Sequence, residues 1–133
     1  MALLETAANC RQGRTRLSRV RPKLLYTGGM YKVVVYVPVV NADEIRKVIG
    51  DAGGGRIGNY SHCSFSVRGK GRFRPLEGAR PSRGKVGKWE EVEEERIEFV
   101  CSEELLEMVV KAIRKAHPYE EPAIEVSPLV NIS

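Results

Sequence analysis

The chain has 133 residues, 42% apolar and 29% charged, which suits one domain with a packed core and is too short for two ordinary domains. No apolar run approaches the roughly 20 residues that span a bilayer, so we expect no membrane partner. The three cysteines are far apart and odd in number, which argues against a secreted disulfide framework and predicts a cytoplasmic protein.

The net charge of +5 is concentrated at the N-terminus. Residues 1–29 carry six basic residues and one acidic residue, whereas residues 30–133 carry sixteen of each. The charge therefore gives no reason to expect a nucleic-acid partner for the domain. We expect residues 1–29 to be a disordered or extraneous extension, either sequence upstream of a natural start at Met30 or an Arg-rich targeting segment. Residues 30–133 are expected to form the domain.

The first predicted element is a strand over 31–37, where nearly every residue is β-branched or aromatic. Asn41 is predicted to cap the following helix, with Glu44 three residues later as in a capping box. The buried stripe of this helix recurs at helical spacing and ends at the glycines 53–55. Its members are Ile45, Val48, Ile49 and Ala52.

The middle of the chain predicts two strands and a long connection. Alternation over 56–67 favours a second strand, and the polar, glycine-rich residues 68–90 are predicted to form a connection. Residues 94–100 predict the third strand, with Ile97 and Phe99 on one face.

Ser102 is predicted to cap a second helix, which His117-Pro118 ends, and residues 122–127 predict a last strand. The order β-α-β-β-α-β is typical of the α+β ferredoxin-like sandwich, a four-stranded antiparallel sheet with both helices on one face. The other sheet face is left open, and a chain this small often covers such a face with a copy of itself.

Two segments carry candidate metal-binding or ligand-binding side chains. In the predicted strand, His62 shares a polar face with Tyr60, while Cys63 points to the opposite face as a core thiol. The second segment, 117–122, holds an imidazole and two carboxylates between prolines. Two interpretations of this segment stay open: a stiff turn between helix and strand, or a site that holds a divalent cation.

Charge alternates in large blocks after residue 67. Residues 68–88 hold eight basic residues and one acidic residue, and residues 90–98 hold six glutamates and one arginine. Mutual neutralisation within a hairpin or between subunits explains the pattern, and so does a mobile basic loop that binds an anionic ligand or a protein partner.

Four segments together resemble one family. They are 59–65 (NYSHCSF), 69–79 (GKGRFRPLEGA), 92–98 (VEEERIE) and 116–123 (AHPYEEPA). They resemble the inserted middle domain of the Ngg-one-interacting-factor-three-like family, the family of the bacterial YqfO proteins, over nearly all of residues 30–130.

The resemblance implies a fold like that of the PII signal-transduction proteins and the CutA divalent-cation-tolerance proteins, both ferredoxin-like trimers. CutA proteins carry a His-Pro-Tyr-Glu-x-Pro turn, which residues 117–122 match. PII proteins bind effectors between subunits, near the base of the loop that residues 68–90 would form. The family's two-metal, hydrolase-like site lies in flanking domains that 30–133 do not include, so we expect no enzyme activity.

We therefore predict a non-enzymatic homotrimer that binds a ligand or a divalent metal ion, copper or zinc, between subunits. The expected metal ligands are His62, His117, Glu120 and Glu121, and the expected ligand-binding residues are Tyr60, His62, Tyr119, Arg72 and Arg74, with Cys63 ranked below them. The alternative is a regulator that docks a protein partner or an anionic effector such as a nucleotide through residues 68–90. A third possibility, an enzyme, would need His117 beside Glu120 as its base.

Overall fold

The computed structural model describes residues 29–130, which form four strands and two helices in the predicted order. The elements are β1 (Met30–Pro38), α1 (Val39–Asp51), β2 (Phe65–Phe73), β3 (Glu90–Ser102), α2 (Glu103–Ala116) and β4 (Ile124–Leu129). The strands make one antiparallel sheet in the order β2-β3-β1-β4. The ferredoxin-like fold predicted from the sequence is confirmed.

The core lies between the two helices and one face of the sheet. Alternate residues of β1 and β3 are buried there against the apolar stripes of α1 and α2. Its members are Val33, Val35, Val37, Ala42, Ile45, Ile49, Ile97, Phe99, Cys101, Val109 and Ile113. Each large aliphatic side chain buried in this way contributes about 1.5–3 kcal/mol relative to exposure, so this layer fixes the position of both helices.

The first helix starts earlier than its sequence signal indicates. It begins at Val39, directly after Pro38 in the N-cap position, so the prediction that Asn41 caps it is wrong. The extended Pro38 joins strand and helix without a linker, which places Asn41 inside the first turn. Ser102 does hold the N-cap position of α2, as predicted, but makes no side-chain capping bond.

The predicted strand over 56–67 is wrong for most of its length. Residues 56–64 form a loop that contains only an isolated bridge between Ile57 and Tyr60. Gly55, Gly58 and His62 have positive φ values of 76°, 57° and 59°, which no regular strand accommodates.

The real β2, Phe65–Phe73, includes residues that were expected to lie in the connection. Its side chains alternate between the two sheet faces. On the helix side, Arg68, Lys70 and Arg72 pair with glutamates of β3 at N–O distances of 2.7–3.8 Å. The glutamates are Glu91, Glu93 and Glu95. Neutralisation within the hairpin is therefore confirmed for these three cations, and the connection shrinks to residues 74–89.

The opposite side of the sheet carries no helix, and we call it the open face. From the strand registers it is formed by Met30, Lys32, Val34, Tyr36, Pro38, Phe65, Val67, Gly69, Gly71, Phe73, Glu90, Val92, Glu94, Arg96, Glu98, Val100, Ser102, Glu125, Ser127 and Leu129. Phe65 is 66% exposed and Val67 is 49% exposed on this face. The fold thus leaves apolar surface uncovered beside charged groups.

The predicted N-terminal extension lies outside the described residues, except for Gly29, whose carbonyl accepts a hydrogen bond from the Glu103 amide. Across residues 29–130, neither helix has the length and apolar character needed to cross a membrane.

Candidate functional site

The main cleft of the domain has a volume of about 510 Å³ and lies where the 74–89 loop meets the sheet and the turn after α2. Its lining is largely aromatic and aliphatic, with three arginines and three glutamates. The lining residues are Tyr36, Gly71, Arg72, Phe73, Arg74, Pro75, Leu76, Ala79, Pro81, Ser82, Arg83, Glu94, Tyr119, Glu120, Glu121 and Ala123. An apolar pocket with a few polar groups is the usual form of a small-molecule site.

Tyr119 and Glu94 form the polar centre of this cleft. The Tyr119 hydroxyl donates a 2.8 Å hydrogen bond to Glu94 Oε2, and the ring packs against Phe73 with centroids 6.0 Å apart. Burial, together with the hydrogen bond to Glu94, raises the pKa of Tyr119. The phenol therefore acts as a fixed hydrogen-bond donor rather than as a base or nucleophile.

His117 holds Tyr119 in place from below. It is 7% exposed; its Nε2 donates to the Tyr36 carbonyl at 2.8 Å, and its Nδ1 accepts from the Tyr119 amide at 3.1 Å. Since a carbonyl only accepts, Nε2 carries the proton and the ring is neutral in this arrangement. Burial lowers the pKa of His117 despite the Tyr36 bond, which favours the charged form.

His117 gives the domain a pH-dependent stability. Because its folded-state pKa lies below the usual value of 6.5, protonation favours the unfolded chain, and stability falls as the pH drops below about 6.5. One proton accounts for at most about 1.4 kcal/mol per pH unit. Urea unfolding of wild type and His117→Gln between pH 8 and 5 tests this: the difference in their free energies of unfolding should change with pH, and a constant difference would contradict it.

The 74–89 loop is fastened at several points rather than extended into solvent. Its Arg80 amide donates to Glu120 Oε2 at 3.1 Å, and the Gly87 amide donates to the Pro75 carbonyl at 2.8 Å. The Arg74 guanidinium lies 5.5 Å from the centre of the Trp89 ring, a cation–π distance. These contacts hold the loop as one wall of the cleft.

The other predicted site residues lie elsewhere. His62 is in the loop before β2, not in a strand, and its ring lies against Gly50, where any Cβ would overlap it. Its Nε2 contacts Asp51 Oδ1 at 3.0 Å and its Nδ1 contacts Ser61 Oγ at 2.9 Å. This Ser-His-Asp chain is exposed and does not line the cleft; it fastens the loop to α1.

Tyr60 and Cys63 belong to that same loop. Tyr60 is 74% exposed and lies outside the cleft. Cys63 is only partly buried, so its assignment as a core thiol is wrong; Cys101 is the buried one. The face assignments failed because they assumed strand alternation across glycines with positive φ.

The two predicted histidine ligands sit at opposite ends of the sheet. The loop of His62 is attached to the sheet by the hydrogen bond from the Gly55 amide to the Val100 carbonyl, and Val100 pairs with Lys32 of β1. His117 instead bonds to the Tyr36 carbonyl of β1. Lys32 and Tyr36 are four residues apart along the strand, which is roughly 13 Å at the usual rise per residue. Within residues 29–130 no three His, Cys, Asp or Glu side chains are grouped closely enough to hold a metal ion. A metal site built on both histidines would need groups from a second copy, and it stays a prediction.

Five of the predicted residues do meet in the cleft, namely Arg72, Arg74, Tyr119, Glu120 and Glu121. Glu94, Tyr36 and Gly71 also line the cleft and were not among the predicted site residues. Glu94 lies in a run of glutamates that look alike in the sequence. The only available signal was that adjacent strand residues point to opposite faces, which places Glu94 on the open face and Glu95 on the helix side. Gly71 was assigned to a flexible connection and not to a strand.

Comparison with known proteins finds close relatives that are longer than this chain, and no family model matches it. A Halalkalibacterium halodurans protein named GTP cyclohydrolase 1 type 2 homolog is 49% identical over 105 residues, 79% of this chain and 28% of the relative. The crystal structure of a Bacillus cereus protein related to NIF3 shares 53% identity and superposes with a TM-score of 0.69, covering 80% of this chain and 27% of that one. This domain belongs to the NIF3-related family. The family resemblance of the sequence is confirmed, for a chain that spans about 28% of the length of the curated relatives it matches.

The CutA proteins share the fold of the NIF3-related domain. The periplasmic divalent cation tolerance protein CutA from Archaeoglobus fulgidus superposes with a TM-score of 0.56 at 17% identity, covering 78% of this chain and 87% of that one. At this identity the likeness concerns the fold alone. It confirms the predicted CutA-like architecture. A shared fold does not identify a ligand, which has to be inferred from the residues of the cleft.

Proposed function

We propose that this NIF3-related domain is a non-enzymatic binding module that senses a small molecule in the cleft between the 74–89 loop and the open face. The observation that carries the proposal is the partly buried Tyr119–Glu94 pair in a cleft of about 510 Å³ whose lining includes three aromatic residues. That volume is in the usual range for ligand pockets. The raised pKa of Tyr119 supports binding rather than acid–base chemistry near neutral pH.

The module is proposed to work as a homotrimer that closes the cleft with a neighbouring subunit. Support comes from the exposed apolar residues of the open face, which adjoin the cleft at Phe73 and Gly71. The relatives are named after a cyclohydrolase, but this chain spans only about 28% of their length. We therefore do not propose that activity for the domain. A copper or zinc site shared between subunits, and a cytoplasmic location, stay predictions.

An anionic effector is the second candidate, and one observation favours it. Arg74 and Arg83 line the cleft, and the 74–89 loop holds five basic residues and one acidic residue. These are Arg74, Arg80, Arg83, Lys85, Lys88 and Glu77. An exposed basic loop attracts anions at low ionic strength and loses that attraction as salt rises.

A fragment screen tests the proposed function. We expect small molecules from a chemically mixed library to shift the amide resonances of Gly71, Phe73 and Tyr119 in the ¹⁵N spectrum of the full chain. Replacing residues 77–86 by a Gly-Ser pair should abolish these shifts while the fold persists, because Pro75 and Gly87 already lie within hydrogen-bond distance. Each roughly 100 Å² of apolar ligand surface left in water costs about 2.5 kcal/mol, or about 70-fold in affinity.

The matched control for the loop deletion removes two positive charges from the 74–89 loop but leaves the loop itself in place beside the cleft. Lys85→Ala with Lys88→Ala changes loop residues outside the cleft lining and should leave the affinity of an uncharged cleft ligand unchanged, whereas an anionic effector should bind more weakly. If no compound in the library perturbs the cleft of the wild-type chain, the small-molecule proposal is wrong. Titration with ATP, copper and zinc in native mass spectrometry covers the remaining candidates.

A further inference from the structure

The carboxylate of Glu94 is buried and only half partnered. Glu94 is 9% exposed and lines both the main cleft and a second cleft of about 330 Å³ on the open face. One oxygen, Oε2, accepts from Tyr119; no other described side chain or amide donates to this carboxylate. No side-chain nitrogen or oxygen of residues 29–130 is both fully enclosed and without a hydrogen-bond partner, so Oε1 is reached by solvent. The second oxygen is therefore an acceptor that a ligand can reach, and charge-assisted hydrogen bonds to it would be strong.

The neighbouring glutamates of β3 show how unusual this is. Glu91, Glu93, Glu95 and Glu98 each pair with a cation within 4.0 Å. Glu90 and Glu94 pair with none among residues 29–130, and of these two only Glu94 is buried. The cations nearest in register are already engaged: Lys70 with Glu91 and Glu93, and Arg96 with Glu98. The described part of the chain therefore supplies no ion-pair partner for Glu94.

The space beside Glu94 is kept open by the sequence of β2. Gly69 pairs with Glu94 in the register, and Gly71, two residues further along β2, is its diagonal neighbour on the open face, where a Cβ would overlap Glu94 Oε1. The lining of the cleft that Glu94 shares includes the aromatic residues Tyr36, Phe73 and Tyr119. Aromatic faces beside a carboxylate suit a flat cation, which gains cation–π attraction and hydrogen bonds together.

We propose that Glu94 is the recognition group for a ligand that carries an amidinium- or guanidinium-type head on a flat apolar body. The inference rests on the proposed function and names the ligand class of the same cleft. The head donates its N–H groups to Glu94 Oε1, while the body lies between the aromatic walls and the 74–89 loop. Planar, forked N–H donors match a carboxylate better than a point charge does.

The arginines at the rim do not reverse this preference. Of the three that line the cleft, Arg72 is engaged with Glu91 and Arg74 lies over Trp89. The third, Arg83, is exposed, and its lowering effect on the Tyr119 pKa is smaller than the raising effects of burial and of Glu94. The cleft lining also holds as many glutamates as arginines, three of each. Exposed charges are screened over about 8 Å at physiological salt, whereas a buried carboxylate is screened much less. The buried group therefore decides which charge the ligand head carries.

Three probes of nearly the same shape test the inference on the full chain: benzamidine, benzamide and benzoate, which are cationic, neutral and anionic. In NMR titrations we expect benzamidine to shift the Gly71 and Tyr119 amides, with benzamide at least about tenfold weaker and benzoate weaker still. Glu94→Gln should remove the preference for benzamidine over benzamide. Glu125→Gln, an exposed open-face glutamate outside both clefts, should leave it unchanged.

The outcomes separate this inference from the proposed function. Equal binding of benzamidine and benzamide, or tighter binding of benzoate, overturns the role of Glu94 even if the cleft binds other compounds. If none of the three probes binds while library fragments do, the ligand class is wrong and the binding module stands. If nothing binds the cleft, both proposals fail. The comparison of probes on wild type decides the question even if Glu94→Gln unfolds.

Discussion

Gly71→Ala should destabilise the domain by about 1–3 kcal/mol and disrupt the cleft, although it is a small change on an exposed strand. The new methyl group would occupy the space of Glu94 Oε1, which the Tyr119 hydrogen bond holds in place. Either the carboxylate leaves Tyr119 or β2 moves away from β3. Urea unfolding of the purified variant measures the loss, and the amide resonances of Tyr119 and Phe73 report the disrupted contact.

Gly69→Ala is the matched control for that change. Gly69 lies two residues away on the same face of β2, and a Cβ there meets no atom within 4 Å. The methyl should therefore leave stability unchanged or raise it slightly, because alanine loses less backbone entropy than glycine on folding. Equal losses in the two variants would show that the cost belongs to the strand and not to the contact with Glu94.

A double-mutant cycle isolates the contact itself. In a Glu94→Ala background the carboxylate is gone, so Gly71→Ala should cost little more than Gly69→Ala does. The coupling free energy between positions 71 and 94 should then account for most of the loss in the single Gly71→Ala variant. Additive effects would mean that the methyl disturbs β2 through another neighbour.

Phe65→Arg should convert the proposed trimer into monomers. Phe65 is 66% exposed on the open face, and its cross-strand neighbour is Glu98. An arginine there can pair with Glu98, so the subunit should stay folded, but the charge has no place in an apolar contact between copies. Light scattering after gel filtration measures the mass of wild type and variant.

Val40→Arg is the control for this experiment. Val40 is 86% exposed on α1, away from the sheet, so the same substitution should leave the oligomer intact. A wild-type chain that is monomeric at high concentration, or a Phe65→Arg variant that keeps the wild-type mass, would contradict assembly through the open face.

The order and type of the elements could be predicted from local sequence patterns alone. The β-branched run over 31–37 predicted a strand, and apolar residues at helical spacing predicted both helices. The helix residues predicted to be buried do lie in the core, for example Ile45, Ile49, Val109 and Ile113. His117-Pro118 ended α2 as predicted, because proline restricts the residue before it. The resemblance of segments such as 116–123 also identified the family.

The position of β2 and the lining of the cleft depend on contacts between segments that are distant in sequence. Residues 68–73 have glycines and cations typical of a loop, and they form a strand because pairing with β3 satisfies their backbone and places Lys70 beside Glu93. The separation of His62 from His117 depends on which ends of the sheet their loops reach. The half-partnered Glu94 depends on a cross-strand neighbour, Gly71, more than 20 positions away. Contacts of this kind are set by register and packing, which local sequence patterns do not encode.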